Sequence, residues 1–176
     1  GSSGTAAPAP GPVNPRTIVE FCCEEDSNIG VLAPPGCSVH RLTARDKVES
    51  RAGWKKVSKA INSADSPVLL WGSMPCTGGC GYSHVNLSRG GSAAKKVMDE
   101  RDKFDRIWTT FAKAAKAARA KGGKIAIEWP KTCIYWRLPE VQALMRSLGM
   151  VMVECHGCAL WVVDKSGRPL KKPLYI

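Results

Sequence analysis

Residues 66–75 read "SPVLLWGSMP" and run straight into "CTGGCGYSH" (76–84). The first part is a continuous apolar run, which predicts a central strand covered on both faces. The second opens at Pro75-Cys76 into a loop with three glycines, a second cysteine and a histidine. Three readings of that loop stay open: a poised nucleophile, a metal site, or a tight turn that happens to contain sulfur.

Working outward, strands and helices alternate. "RTIVEFCC" (16–23) predicts the first strand and "GCSVHRLT" (36–43) the second. Residues 46–63 are amphipathic and predict a helix. The clearest helix covers 93–121, where Val97, Arg101, Phe104, Trp108, Phe111, Ala115 and Ala118 recur at steps of three and four. "KIAIEWP" (124–130) predicts a buried strand closed by proline, "LPEVQALMRSLG" (138–149) a short helix, and "MVMVECHGC" (150–158) a strand. "ALWVVDKSGRPLKKPLYI" predicts a hairpin turning at Lys165-Ser166-Gly167. The pattern implies an α/β domain over 16–176: a mostly parallel, Rossmann-like sheet with helices on both faces and a C-terminal antiparallel hairpin. Residues 1–15, "GSSGTAAPAPGPVNP", read as a tag remnant and Pro/Ala linker expected to be disordered.

In such sheets ligands bind beyond the carboxyl ends of the strands. Three unusual segments fall there: "CCEEDS", "PCTGGCGYSH" and "EWPKTCIYW". Cys76 is a candidate nucleophile, and Gly78, Gly79 and Gly81 would let a planar substrate approach the backbone. Glu128 follows "IAI" at a strand end, where a carboxyl group is costly unless used or paired. Local ion pairing is its structural alternative.

The chain has 176 residues, and 26 Lys plus Arg against 15 Asp plus Glu leave it at +11. This balance points to a polyanionic partner, nucleic acid first. No apolar run is long enough for a membrane span. The eight cysteines sit mostly in or beside apolar strand-like runs, which favours a reducing intracellular setting, with a nuclear one in keeping with the charge. Zinc spacing fits poorly: Cys76, Cys80, His84, Cys155 and Cys158 form no paired CxxC framework, and no metal is expected. A cysteine hydrolase with His84 or His156 as base lacks an evident orienting Asn or Asp.

A strand ending in Pro-Cys, a basic helix, and a strand ending in a hydrophobic run plus Glu resemble the cytosine-C5 DNA methyltransferase family. The resemblance implies that Cys76 attacks C6 of a flipped-out cytosine. It implies that Glu128 contacts N3 and the exocyclic amine, and that the methyl group comes from S-adenosylmethionine. "DERDKF", with Asp99 and Arg101, is similar to the family's Asp-x-Arg stretch, and Phe21 of "VEFCC" matches the first residue of its cofactor motif. The cofactor would then lie among Phe21, Cys22, Cys23, Asp26, Ser27 and Pro75. Cys23 and Glu25 stand where the family has glycines, Trp129 and Pro130 replace the Asn and Val that follow its glutamate, and no target-recognition domain fits. A partner protein or domain would supply recognition. Tyr82, Trp129, Tyr135 and Trp136 are candidate stacking faces for bases, and Tyr82, Ser83, Arg89, Lys95, Lys96, Arg101 and Trp129 form the expected nucleic-acid contact set. The alternative is a methyltransferase-like domain without turnover, used for nucleic-acid binding or assembly within a larger, retroelement-type polyprotein.

Overall fold

The computed structural model describes residues 15–157, 166–168 and 173–176. Four parallel strands form the main sheet: β1 (Thr17–Phe21), β2 (Ser38–Leu42), β3 (Val68–Gly72) and β4 (Lys124–Ile127), in the order β2-β1-β3-β4. The chain runs outward from β1 to β2, crosses back to β3 and continues to β4. The direction of winding therefore reverses beside β1, which makes the carboxyl end of β1 the topological switch point.

Alternation along β1 sends its side chains to two different layers. Phe21 meets Phe111 edge-on, ring centroids 5.3 Å apart, in the layer of α2 (Arg51–Asn62) and α4 (Gly91–Ala120). Its neighbour Glu20 points to the other face, under the four-residue α1 (Asn28–Val31), and is fully buried. Two groups satisfy its carboxylate: Ser27 Oγ donates to Oε1 at 2.5 Å and Arg41 Nε donates to Oε2 at 3.1 Å. Arg41 also donates to the Ser27 carbonyl, so the ion pair ties the loop after β1 to β2. A buried charge is tolerated only with this degree of pairing.

The helix expected over 46–63 begins later. A 3-10 turn at Ala44–Asp46 is closed by a reciprocal cap between Thr43 and Asp46, and Lys47 takes a left-handed φ of 44° that no helix continues through. Ser50 then caps α2 by accepting from Gly53 N at 3.0 Å. The long helix agrees closely with its periodicity; its buried face includes Val97, Phe104, Trp108, Phe111, Ala115 and Ala118. At its end Lys121 Nζ donates to the carbonyls of Ile61, Asn62 and Ala64, anchoring α4 to the end of α2. The helix after the glycine loop, α3 (Gly81–Arg89), was not legible in the sequence; α5 (Pro139–Leu148) was.

The expected strand 124–130 is two strands. Glu128 N donates to Gly72 O, the last bond of the parallel ladder, and β5 (Trp129–Pro130) then joins a second sheet. That sheet is antiparallel, ordered β5-β7-β6 with β6 at Glu154–His156 and β7 at Pro173–Tyr175. Of the strand read over 150–158, the described residues 150–157 are regular at 154–156, and Val153 and Ile176 exchange both backbone hydrogen bonds. The first limb of the expected hairpin and the linker at 1–14 lie outside the described residues. Among those described, no helix is long and apolar enough to cross a membrane.

Candidate functional site

Phe21 pairs with Gly72, and Gly72 with Ile127, in the last rung of the parallel ladder. The chain segments that follow them, from Cys22, Ser73 and Glu128, therefore leave the sheet at one rim. The three segments singled out in the sequence converge as the topology requires.

Beyond β3, Ser73 N still bonds Phe21 O, and Met74 turns inward to full burial. Its carbonyl accepts from Trp129 Nε1 at 2.7 Å. Pro75 is exposed and Cys76 half-buried. The loop then closes on itself through Gly79 N to Cys76 O at 2.8 Å. Three further bonds pin it: Arg101 Nε to Gly78 O at 2.9 Å, Ile134 N to Gly79 O at 2.9 Å, and Ser83 Oγ to Cys80 O at 2.7 Å.

The glycines have a different use from the expected one. A Cβ on Gly78 would sit 2.9 Å from Arg101 Cγ, and one on Gly79 would sit 2.9 Å from two carbons of the Tyr135 ring. The space beside both is filled by the protein itself. At Gly81 alone of the three does a Cβ meet nothing within 4 Å.

Glu128 is half-buried, with Oε1 shielded from solvent. Near it lies Cys133, which the sequence did not single out. Cys133 is buried, and burial pushes its thiol up to about 12; the neighbouring Cys76, Cys80 and Glu128 add to the rise. Cys155 is raised by burial first and by Glu128 second. Tyr135 is raised by burial and then by Cys133. Cys76 and Glu128 thus share one electrostatic neighbourhood, around Cys133. The signal available for Cys133 was its place five residues after Glu128, in a segment already marked as unusual.

A cleft opens at the switch point. Cys22, Cys23, Lys47, Glu49, Pro75 and Lys103 line a cavity of about 130 Å³. A second cavity of about 320 Å³ adjoins it, sharing Glu24, Thr43 and Ala44 and adding Glu25, Asp26 and Arg45. Cys22 turns the chain into this cleft with a left-handed φ of 62°, a conformation costly for a residue with a Cβ. Burial, then Glu49, pushes its thiol to about 12.

Of the expected cofactor residues, Cys22, Cys23, Pro75 and Asp26 line these cavities. Two are corrected. Phe21 is sealed in the core against Phe111, and Ser27 is bonded to Glu20 on the opposite face of the sheet. The nucleic-acid set divides likewise. Tyr82 is 81% exposed, and Arg89, Lys95 and Lys96 are exposed, with Lys95 paired to Asp99. Ser83 is buried in the first turn of α3 with its Oγ donating to Cys80 O, Arg101 is engaged with Gly78 O, and Trp129 is 1% exposed. Tyr135 stacks on Phe104 at 3.8 Å and Trp136 meets Trp129 at 4.8 Å, so only Tyr82 of the four expected stacking faces is open to solvent. Burial wins for Trp129 and Tyr135 because Phe104 of α4 meets both rings, and for Trp136 because it packs between Trp129 and Tyr175.

None of the seven described cysteines is in a disulfide. Among the described residues no group of three or more His, Cys, Asp or Glu is arranged to hold a metal ion; Cys158 lies outside them. In comparisons with known proteins, no family model, no curated protein and no solved structure matches the chain.

Proposed function

We propose that the chain is a cytosine-C5 methyltransferase-like domain acting on nucleic acid, DNA first, with Cys76 as nucleophile and Glu128 as the base contact. The observation that carries the reading is the shared rim. Cys76 and Glu128 follow adjacent parallel strands whose last residues pair, and both border Cys133.

The chemistry asked of the two groups is complementary. The Cys76 thiolate adds to C6 of an unstacked cytosine, which makes C5 electron-rich. Glu128 donates a hydrogen bond to N3 when protonated and accepts one from the exocyclic amine, stabilising the charge that develops on the ring. A base must first leave the helical stack, at a cost of a few kcal/mol.

S-adenosylmethionine, when bound, supplies the methyl group. Its fit rests on the two adjoining cavities beyond β1 and β2, which together reach the size range of small-ligand sites. Glu24 and Asp26 suit its ammonium and hydroxyl groups, and Lys47 and Lys103 suit its carboxylate. An intracellular, nuclear setting and a partner contributing target recognition belong to the same reading.

A second reading, a nucleic-acid-binding or assembly module without turnover, is favoured by one observation: Gly78 and Gly79 are packed against Tyr135 and Arg101 rather than open to a substrate. Thermal unfolding with S-adenosylmethionine separates the two. Ligand at a hundred times its Kd stabilises by about 2.7 kcal/mol, which raises Tm by roughly 5–10 °C at this chain length. With labelled methyl donor and cytosine-containing DNA, Cys76→Ser abolishes transfer in a folded protein and Glu128→Gln slows it. An absent Tm response, with salt-sensitive DNA binding retained, refutes the enzyme and leaves the module.

A further inference from the structure

The hairpin of α3 and α4 follows the Cys76 loop and carries exposed apolar side chains. The two helices are joined through Gly90 and Gly91, both at positive φ (69° and 54°), so the chain reverses with no loop between them. Tyr82, Val85 and Arg89 recur at steps of three and four along α3 and so share one of its faces. Tyr82 is 81% exposed and Val85 48%. On the first turns of α4, Met98 is 59% exposed beside exposed Lys95 and Lys96.

The charge of α3 and of its junction with α4 is one-sided. No Asp or Glu occurs between Asp65 and Asp99, while Arg89, Lys95 and Lys96 fall within that stretch. With Lys95 paired to Asp99, the surface combines the Tyr82 ring and Val85 with the positive charges of Arg89 and Lys96. It matches a ligand with flat apolar faces on a polyanionic backbone.

We infer that the α3–α4 hairpin is a docking surface for an unpaired nucleic-acid strand, with a base stacked on the Tyr82 ring and the backbone phosphates running toward Arg89 and Lys96. The inference rests on the proposed nucleic-acid reading and specifies the form of the substrate. A duplex hides its base faces inside the stack and is read through hydrogen bonds to base edges. The exposed α3 face offers instead a phenol ring and a valine, which gain most against an unstacked base. Tyr82 begins two residues after Cys80, so a strand stacked there lies next to the Cys76 loop.

The test uses fluorescein-labelled 16-nucleotide probes of one mixed sequence, as single-stranded DNA, single-stranded RNA and DNA duplex, read by fluorescence anisotropy between 50 and 200 mM salt. Both single strands are expected to bind more tightly than the duplex, and the two arms report which sugar is preferred. Tyr82→Ala weakens single-strand binding by roughly 5- to 150-fold, the range for losing one stacked base. Tyr82→Trp retains it, and duplex binding changes less than twofold in either variant. Arg89→Ala and Lys96→Ala each flatten the log–log salt slope by about 0.7, and Lys116→Ala, exposed farther along α4, serves as the charge control. Tyr82 is exposed enough that its substitution leaves the fold intact, which circular dichroism checks. Duplex binding as tight as single-strand binding, or an unchanged affinity in Tyr82→Ala, overturns the inference. Stabilisation by S-adenosylmethionine without single-strand preference removes this inference alone. Single-strand binding without that stabilisation removes the methyl transfer alone.

Discussion

Two alanine substitutions in one glycine loop test what that loop is for. In Gly79→Ala the new methyl lies 2.9 Å from Tyr135 Cδ1 and Cε1 and 3.0 Å from Cγ. The ring cannot simply swing away, because it stacks on Phe104 at 3.8 Å and meets Trp129 edge-on at 5.8 Å. Overpacking of this kind costs about 1–3 kcal/mol. The lower entropy of the unfolded alanine chain returns about 0.4–1 kcal/mol. The balance is a loss near ~1.3 kcal/mol, or ~0.6 M in the urea midpoint at a slope of ~2 kcal/mol per M. Gly81→Ala meets nothing within 4 Å and starts α3 in ordinary backbone geometry, so it gains the entropy part alone and moves the midpoint upward. Urea unfolding followed by far-UV circular dichroism and tryptophan fluorescence measures both. Equal midpoints for the two variants would refute the packing argument. Unchanged stability in Gly79→Ala with weakened nucleic-acid binding would return the loop to the substrate-access role first read from its sequence.

Cys133 holds its proton to about pH 12 in the fold, against an ordinary value of 9.0, so the unfolded chain loses that proton first. Stability is therefore expected to fall as pH rises from about 9 toward 12, less steeply in Cys133→Ala, as urea midpoints across that range will show. At pH 8, iodoacetamide is expected to spare Cys22 and Cys133, both raised to about 12, while modifying half-buried Cys37; peptide mass spectrometry checks the order, and early labelling of Cys133 contradicts its placement. Arg41→Met leaves the Glu20 carboxylate buried beside Ser27 alone and costs about 3–5 kcal/mol, whereas the double variant with Glu20→Gln recovers part of that loss; a double variant no better than the single one argues against a paired charge. Lys121→Met removes the ammonium that three carbonyls share at the junction of α2 and α4 and lowers stability by about 1–2 kcal/mol in the same assay.

Much of the scaffold was legible from residue pattern alone. The apolar run at 66–75 is a central strand, the three-and-four spacing of 93–121 is a helix, and the segments after β1, β3 and β4 meet at one rim. Less legible was the fate of individual side chains at that rim. Trp129 and Tyr135, candidate stacking faces in the sequence, are packed in the core, and Glu20 sat unnoticed within "TIVEF".

Local sequence determined which segments become strands and helices, because hydrophobic periodicity and turn chemistry act over a few residues. It also determined the excess of positive charge. Tertiary structure alone decided that Phe104 takes up Tyr135, that Arg41 reaches Glu20, that Gly78 and Gly79 make room for protein, and that Tyr82 is left in the open. Each of these depends on a partner more than twenty residues away, or on the lack of one. Burial is a property of the pair of surfaces that meet, and a single stretch of chain specifies only one of them.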